Sequence, residues 1–156
     1  MSGGPDRTRN PVVLLDTNAL FLPARAGFPL DAEIARLVPS ARVVVPASVL
    51  AELDRLVARR ARGAPAARAL AERYPTTAAR DEGDAAIVDL AVRRRAIVVT
   101  ADRALQERLA RRGVAVLVPR DRHRLELRRG ERDAGGRDAR LLRRTASRRD
   151  TSLGNG

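Results

Sequence analysis

Four short runs of this chain are built almost wholly from aliphatic residues: 12–16, 42–45, 96–100 and 114–118. A strand with one wet face alternates apolar and polar side chains. An unbroken run such as Val12-Val13-Leu14-Leu15 or Ile97-Val98-Val99 belongs between two covered faces. The segments separating the runs carry apolar residues at helical spacing. Asp31 suits the start of a helix bearing Ile34, Leu37 and Val38. Pro46 suits the first turn of one whose inner face is Val49, Leu53, Leu56 and Val57. Pro65 starts a short helix that Pro75 stops, since proline lacks the N–H that would continue it. A helix opening near Asp84 turns Ile87, Leu90 and Ala91 inward, and 103–112 turns Leu105 and Leu109 inward before Gly113. Strand and helix in alternation indicate an α/β fold with a central parallel sheet and helices on both faces. Leu125 and Leu127 alternate, as in a last edge strand.

Such sheets bind ligands beyond the carboxyl ends of their strands. That rule draws attention to four acids. Asp16 ends the first run, and Asp102 closes the segment Ile97-Val98-Val99-Thr100-Ala101-Asp102 that extends the third. Glu52 lies about two helical turns beyond the second, and Asp84 stands in the first turn of a predicted helix. Brought together, they would make a carboxylate-lined pocket. Crowded carboxylates raise each other's pKa, and a hard divalent cation such as Mg2+ or Mn2+ relieves that repulsion while offering hydrolytic chemistry. In Asp16-Thr17-Asn18 three short polar side chains follow one strand, so Thr17 and Asn18 are expected in support. Thr100, at the mouth of the third strand, is expected to bond a carboxylate or a bound water. Each acid also has a plainer reading. Asp84 and Asp102 suit helix N-caps, and Glu52 suits a surface acid near Arg55 and Arg59.

Charge indicates the partner. The formal net charge is +12, and all 31 basic residues are arginine. A polyanion is the natural ligand, and the guanidinium fork suits phosphate. With only Phe21, Phe28 and Tyr74 as aromatics, affinity should come from phosphate contacts and not from base stacking. The absence of cysteine excludes disulfides and thiolate metal sites and fits a cytoplasmic protein. Apolar runs of about five residues fall far short of the roughly 20 that span a bilayer. No membrane partner is expected.

Taken in order, these motifs resemble the PIN-domain ribonucleases over residues 12–127. The matching segments are Val-Val-Leu-Leu-Asp16-Thr17-Asn18-Ala-Leu, Val-Pro-Ala-Ser-Val-Leu-Ala-Glu52-Leu, Gly-Asp84-Ala-Ala-Ile-Val-Asp-Leu-Ala and Ala-Ile-Val-Val-Thr100-Ala-Asp102-Arg-Ala-Leu. The chain is most similar to the archaeal PIN proteins, often called VapC-like, that are related to the small-subunit pre-rRNA processing endonuclease. The resemblance implies a PIN-like three-layer fold and metal-dependent cleavage of single-stranded RNA, with an rRNA precursor as one substrate. It implies Asp16, Glu52, Asp84 and Asp102 as the catalytic acids holding Mg2+ or Mn2+, supported by Thr17, Asn18 and Thr100. It departs in one place: relatives carry a second aspartate where Ala85 stands, and Asp81 or Glu82 is the candidate replacement. Two other readings stay open. One is the toxin of a VapC-type toxin–antitoxin pair, with an antitoxin partner. The other is a non-catalytic RNA-binding protein that kept the fold. The family often forms homodimers.

The expected organisation is a flexible segment over 1–11, the PIN-like domain over 12–128 and a basic tail over 129–156. Residues 120–156 hold 12 arginines and 6 acids, half of the excess charge in a quarter of the chain. With few apolar residues, the tail is expected to be disordered, with a transient helix over 137–149. Arg93, Arg94, Arg95, Arg111 and Arg112 are candidate RNA-binding residues at the rim of the pocket; the alternative is a solvated surface. His123, alone among arginines, is expected to be a surface residue.

Overall fold

The computed structural model describes residues 10–131. Six strands form one sheet: β1 (Val12–Leu15), β2 (Arg42–Pro46), β3 (Thr76–Thr77), β4 (Ile97–Val99), β5 (Val116–Pro119) and β6 (Leu125–Arg128). Six helices accompany them: α1 (Thr17–Ala26), α2 (Leu30–Leu37), α3 (Ala47–Ala58), α4 (Ala64–Ala71), α5 (Gly83–Arg94) and α6 (Arg103–Arg111). The strand order is β3-β2-β1-β4-β5-β6, and every pairing is parallel except β5 with β6. Helices cover both faces, as the unbroken apolar runs require.

The core is aliphatic. Val13, Leu14, Leu15, Val98, Val99 and Leu117 are wholly buried within the strands, and Leu53, Leu105 and Leu109 are wholly buried on the helices. The register sets Leu14 between Val44 of β2 and Val98 of β4. β1 is therefore the central strand. From it the chain builds outward through β2 and β3, then crosses to its other side for β4 and β5. The order reverses between β1 and β4, which opens a crevice at their carboxyl ends. The Asp16 N–H bonds the Val99 carbonyl at 3.1 Å, holding the two ends side by side.

Several elements differ from the sequence expectation. α1 was not anticipated, because Pro23 lies inside it and reads locally as a stop. Burial of Ala19, Leu20 and Phe21 holds the helix, and Gly27, at φ 63, closes it in the left-handed conformation that glycine tolerates. β3 has two residues and no periodicity to read; its pairing with Val45 and Pro46 defines it. Asp31 and Asp84 lie within the first turns of α2 and α5, while Pro29 and Glu82 hold the N-cap positions. Asp31 instead accepts a hydrogen bond from the Tyr74 hydroxyl. β6 forms as the alternating edge strand, with Leu125 buried.

α2 clamps that edge. Glu33 Oε1 accepts from the Leu125 N–H at 2.9 Å, and Arg36 Nη2 donates to the Leu125 carbonyl at 2.9 Å and to Glu33 at 2.8 Å. Beyond β6, a Cβ on Gly130 would lie 2.6 Å from the Val114 nitrogen, so only glycine allows this backbone approach. The expectations for residues 1–9 and 132–156, including the helix over 137–149, lie outside the described residues.

Candidate active site

Asp16 leaves the end of β1 and is 7% exposed. Its Oδ2 accepts from the Asn18 amide at 2.9 Å and from the Thr100 hydroxyl at 2.8 Å. Thr100 is wholly buried. Its hydroxyl oxygen in turn accepts from the Asp102 N–H at 3.0 Å, linking the two strand-end aspartates through one side chain. Asn18 completes the bridge by accepting from the Ala101 N–H at 2.6 Å. A hydroxyl has one proton, and the closer contact to Asp16 takes it over the 3.4 Å contact to Asn18. Gln106, one turn into α6, donates to the Thr100 carbonyl at 3.0 Å. Sequence reasoning did not single out Gln106, whose role depends on the facing strand.

The other acids arrive on helices. Glu52 Oε1 accepts from the Thr17 hydroxyl at 2.7 Å across α1 and α3. Asp102 caps α6, accepting from the Leu105 N–H at 3.1 Å, so the plainer capping role and a place in the pocket coexist in one residue. Asp84 is half exposed, 3.9 Å from the Arg108 guanidinium. Asp16, Glu52, Asp84 and Asp102, with Thr17 and Asn18, line a single cavity of about 250 Å3. Phe21, Arg25, Leu56 and Ala61 complete its wall. Ala85, Asp81 and Glu82 are exposed and do not belong to that lining.

Burial pushes the Asp16 carboxyl up from 3.8 to about 6, against the lowering effect of the Thr100 and Thr17 hydrogen bonds. The charges of Asp84 and Glu52 push in the same direction as burial. The site therefore penalises its own ionised acid. The donor set, carboxylate oxygens without sulfur or imidazole, suits a hard cation. Among the described residues, no three acids or histidines are drawn tightly enough to hold an ion in their present conformations. The bonds from Thr17 to Glu52 and from Leu105 to Asp102, and the Arg108 contact with Asp84, account for where those carboxylates point.

The candidate RNA-binding arginines lie elsewhere. Arg93 and Arg94 end α5, whose first turn holds Asp84, and Arg95 caps it. Arg95 lies eleven positions beyond Asp84, about 16 Å of helical rise. Arg95 and Arg112 line a different cavity, at the starts of β4 and β5. Arg111, like Arg93 and Arg94, sits in a last helical turn, where a cation complements the helix dipole. Arg93 is further paired with Asp89 at 2.9 Å. His123 is exposed on the turn between β5 and β6.

No curated protein matches the sequence. In fold the chain is similar to a solved structure of the PIN domain endonuclease Utp24, with a TM-score of 0.65 and 21% identity, over 76% of this chain and 93% of that one. A family model described as PIN like domain matches residues 13–122, which span β1 through β5 and all four pocket acids. With the match covering most of the chain, the protein belongs to the PIN-like domain family.

Proposed function

We propose that this protein is a metal-dependent endoribonuclease acting on single-stranded RNA. The observation that carries the reading is the convergence of Asp16, Glu52, Asp84 and Asp102 on one cavity at the sheet's crevice. Asp16, Asp102, Asp84 and Glu52 are the residues that would hold Mg2+ or Mn2+. A cation bound there supplies Lewis acidity and offsets negative charge during phosphodiester hydrolysis. The chain's own groups prepare the site. Thr100 and Asn18 fix the Asp16 carboxylate, so little conformational entropy is lost when it takes up a ligand. Thr17 orients Glu52, and the Leu105 N–H orients Asp102. Burial of Asp16 strengthens its attraction for a cation.

The fold neighbour's description as an endonuclease and the family membership support this chemistry. The finer assignment, to a VapC-like archaeal group and to an rRNA precursor as substrate, rests on the sequence resemblance. The basic segment beyond Glu131 would add phosphate contacts to the substrate. We place the activity in the cytoplasm, the compartment that the cysteine-free composition suits.

A second reading, a non-catalytic RNA-binding protein, is favoured by one observation: alanine stands at position 85. One assay separates the two. Purified protein with Mn2+ or Mg2+ is expected to cut single-stranded RNA internally and to stop in EDTA. Binding without cleavage in either metal would establish the second reading, and cleavage that persists in EDTA would defeat the metal mechanism.

A further inference from the structure

A cation held by the four acids would answer charge at the cleaved phosphate, while the flanking phosphates of the strand call for positive charge on the pocket wall. Arg25 is the one basic residue lining the acidic cavity among the described residues. It is held in place on three sides. Its guanidinium lies 4.3 Å from the centroid of the Phe21 ring, one helical turn earlier. Its Nη2 donates to the Arg62 carbonyl at 3.0 Å, across 37 residues. Gly63, at φ +81, brings the α4 entry against both side chains; a Cβ there would sit 3.4 Å from Phe21 and 3.6 Å from Arg25. No salt bridge joins Arg25 to any pocket acid among the described residues.

Arg25 also lines a second, larger cavity of about 600 Å3, with Ala24, Arg62 and Gly63. That cavity has two arginines and no acid in its lining. The two cavities meet at Arg25, and the lining changes sign from one to the other. A strand running from the acids past Arg25 would enter the cavity lined by Arg62.

We propose that Arg25 grips the RNA backbone beside the cleaved phosphate and directs the strand from the acidic cavity into the Arg62 cavity. The inference rests on the nuclease reading. A guanidinium already fixed by a ring and a carbonyl loses little freedom on binding, and its remaining N–H groups can engage a phosphate oxygen.

The test uses the full chain and a short fluorescent single-stranded oligoribonucleotide. Binding is read by anisotropy in EDTA over a salt series, and cleavage is read with Mn2+. Arg25→Ala is expected to weaken binding about tenfold, the scale of a charge-assisted hydrogen bond. The slope of log K against log salt should fall by about 0.7, one phosphate contact on a single strand. KM should rise more than kcat falls. Arg25→Lys should recover part of the affinity, since it keeps the charge and loses the fork. Arg122→Ala, exposed on the turn after β5, sets the baseline for losing any one positive charge. Thermal melts check each variant; if Arg25→Ala unfolds, Arg25→Gln, which retains an N–H donor, decides in its place. An Arg25 variant matching Arg122→Ala in affinity and salt slope would overturn the role of Arg25 while wild-type cleavage leaves the nuclease reading intact. A wild-type protein that neither binds nor cuts RNA would defeat the nuclease reading itself.

Discussion

Asp16 and Glu33 are both carboxylates nearly sealed from water, at 7% and 9% exposure, and the protein treats them in opposite ways. Glu33 meets a cation and a backbone N–H. The Arg36 hydrogen bonds, then the Leu125 N–H, hold its carboxyl down from 4.5 to about 2. Its charge is answered, and the result is a clamp between α2 and the sheet edge. Asp16 meets neutral hydroxyl and amide donors and two further acids, and its carboxyl rises to about 6. Its charge is left unanswered at the mouth of a cavity. Burial alone therefore does not identify a functional acid. What separates the two is whether the fold supplies the opposite charge; at Asp16 it does not, which leaves a place for the cation proposed above.

The contrast is broken most directly through activity. Asp16→Asn keeps the side chain's shape and removes a charged oxygen. Cleavage of single-stranded RNA should fall at least about tenfold, or about 1.4 kcal/mol of barrier, whereas Glu33→Gln should cleave nearly as wild type does. Equal losses in the two variants, measured as initial rates with Mn2+, would erase the distinction.

Stability tests the same contrast without a substrate. A rise from 3.8 to about 6 penalises ionised Asp16 by about 3 kcal/mol. The penalty is present above the folded value of about 6, fades as pH falls toward 3.8 and is gone below it. In EDTA, acidifying from neutral through this window should relieve wild type of that penalty, and Asp16→Asn should lack this relief and melt higher at neutral pH. Mn2+ should raise the melting temperature of wild type at neutral pH and do so less for Asp16→Asn. A wild type that melts identically with and without saturating Mn2+ would count against a formed site.

Glu33 should show the smaller effect with the reverse sign. Its depressed value makes the clamp fully effective above 4.5, with stabilisation lost as pH falls from there through about 2. Glu33→Gln should melt below wild type at neutral pH and lose less on acidification across that window. Identical acid limbs in the two proteins, followed by thermal melts, would show that the clamp contributes nothing.

Much of this molecule is written locally. Unbroken runs such as Val12–Leu15 can only be satisfied between two apolar layers, so strands and layer order follow from sequence. Asp16 and Asp102 were legible because they stand at or just past the end of such a run, Glu52 because it lies about two helical turns beyond the second run, and Asp84 because it stands in the first turn of a helix. α1 and β3 were not legible. Pro23 reads as a break until Ala19, Leu20 and Phe21 are seen to be buried, and Thr76–Thr77 is a strand only because Val45 and Pro46 lie beside it.

Sequence by itself thus determined the fold class and which acids face the crevice, because short-range periodicity and strand ends encode both. Tertiary structure alone decided how those acids are electrostatically answered. Thr100 reaches Asp16 from 84 residues away, Leu125 reaches Glu33 from 92, and Arg25 is fixed by a carbonyl 37 residues on. A pKa, a clamp and a cation on a cavity wall depend on distances of a few ångströms between segments remote in the chain, and no local pattern carries that information.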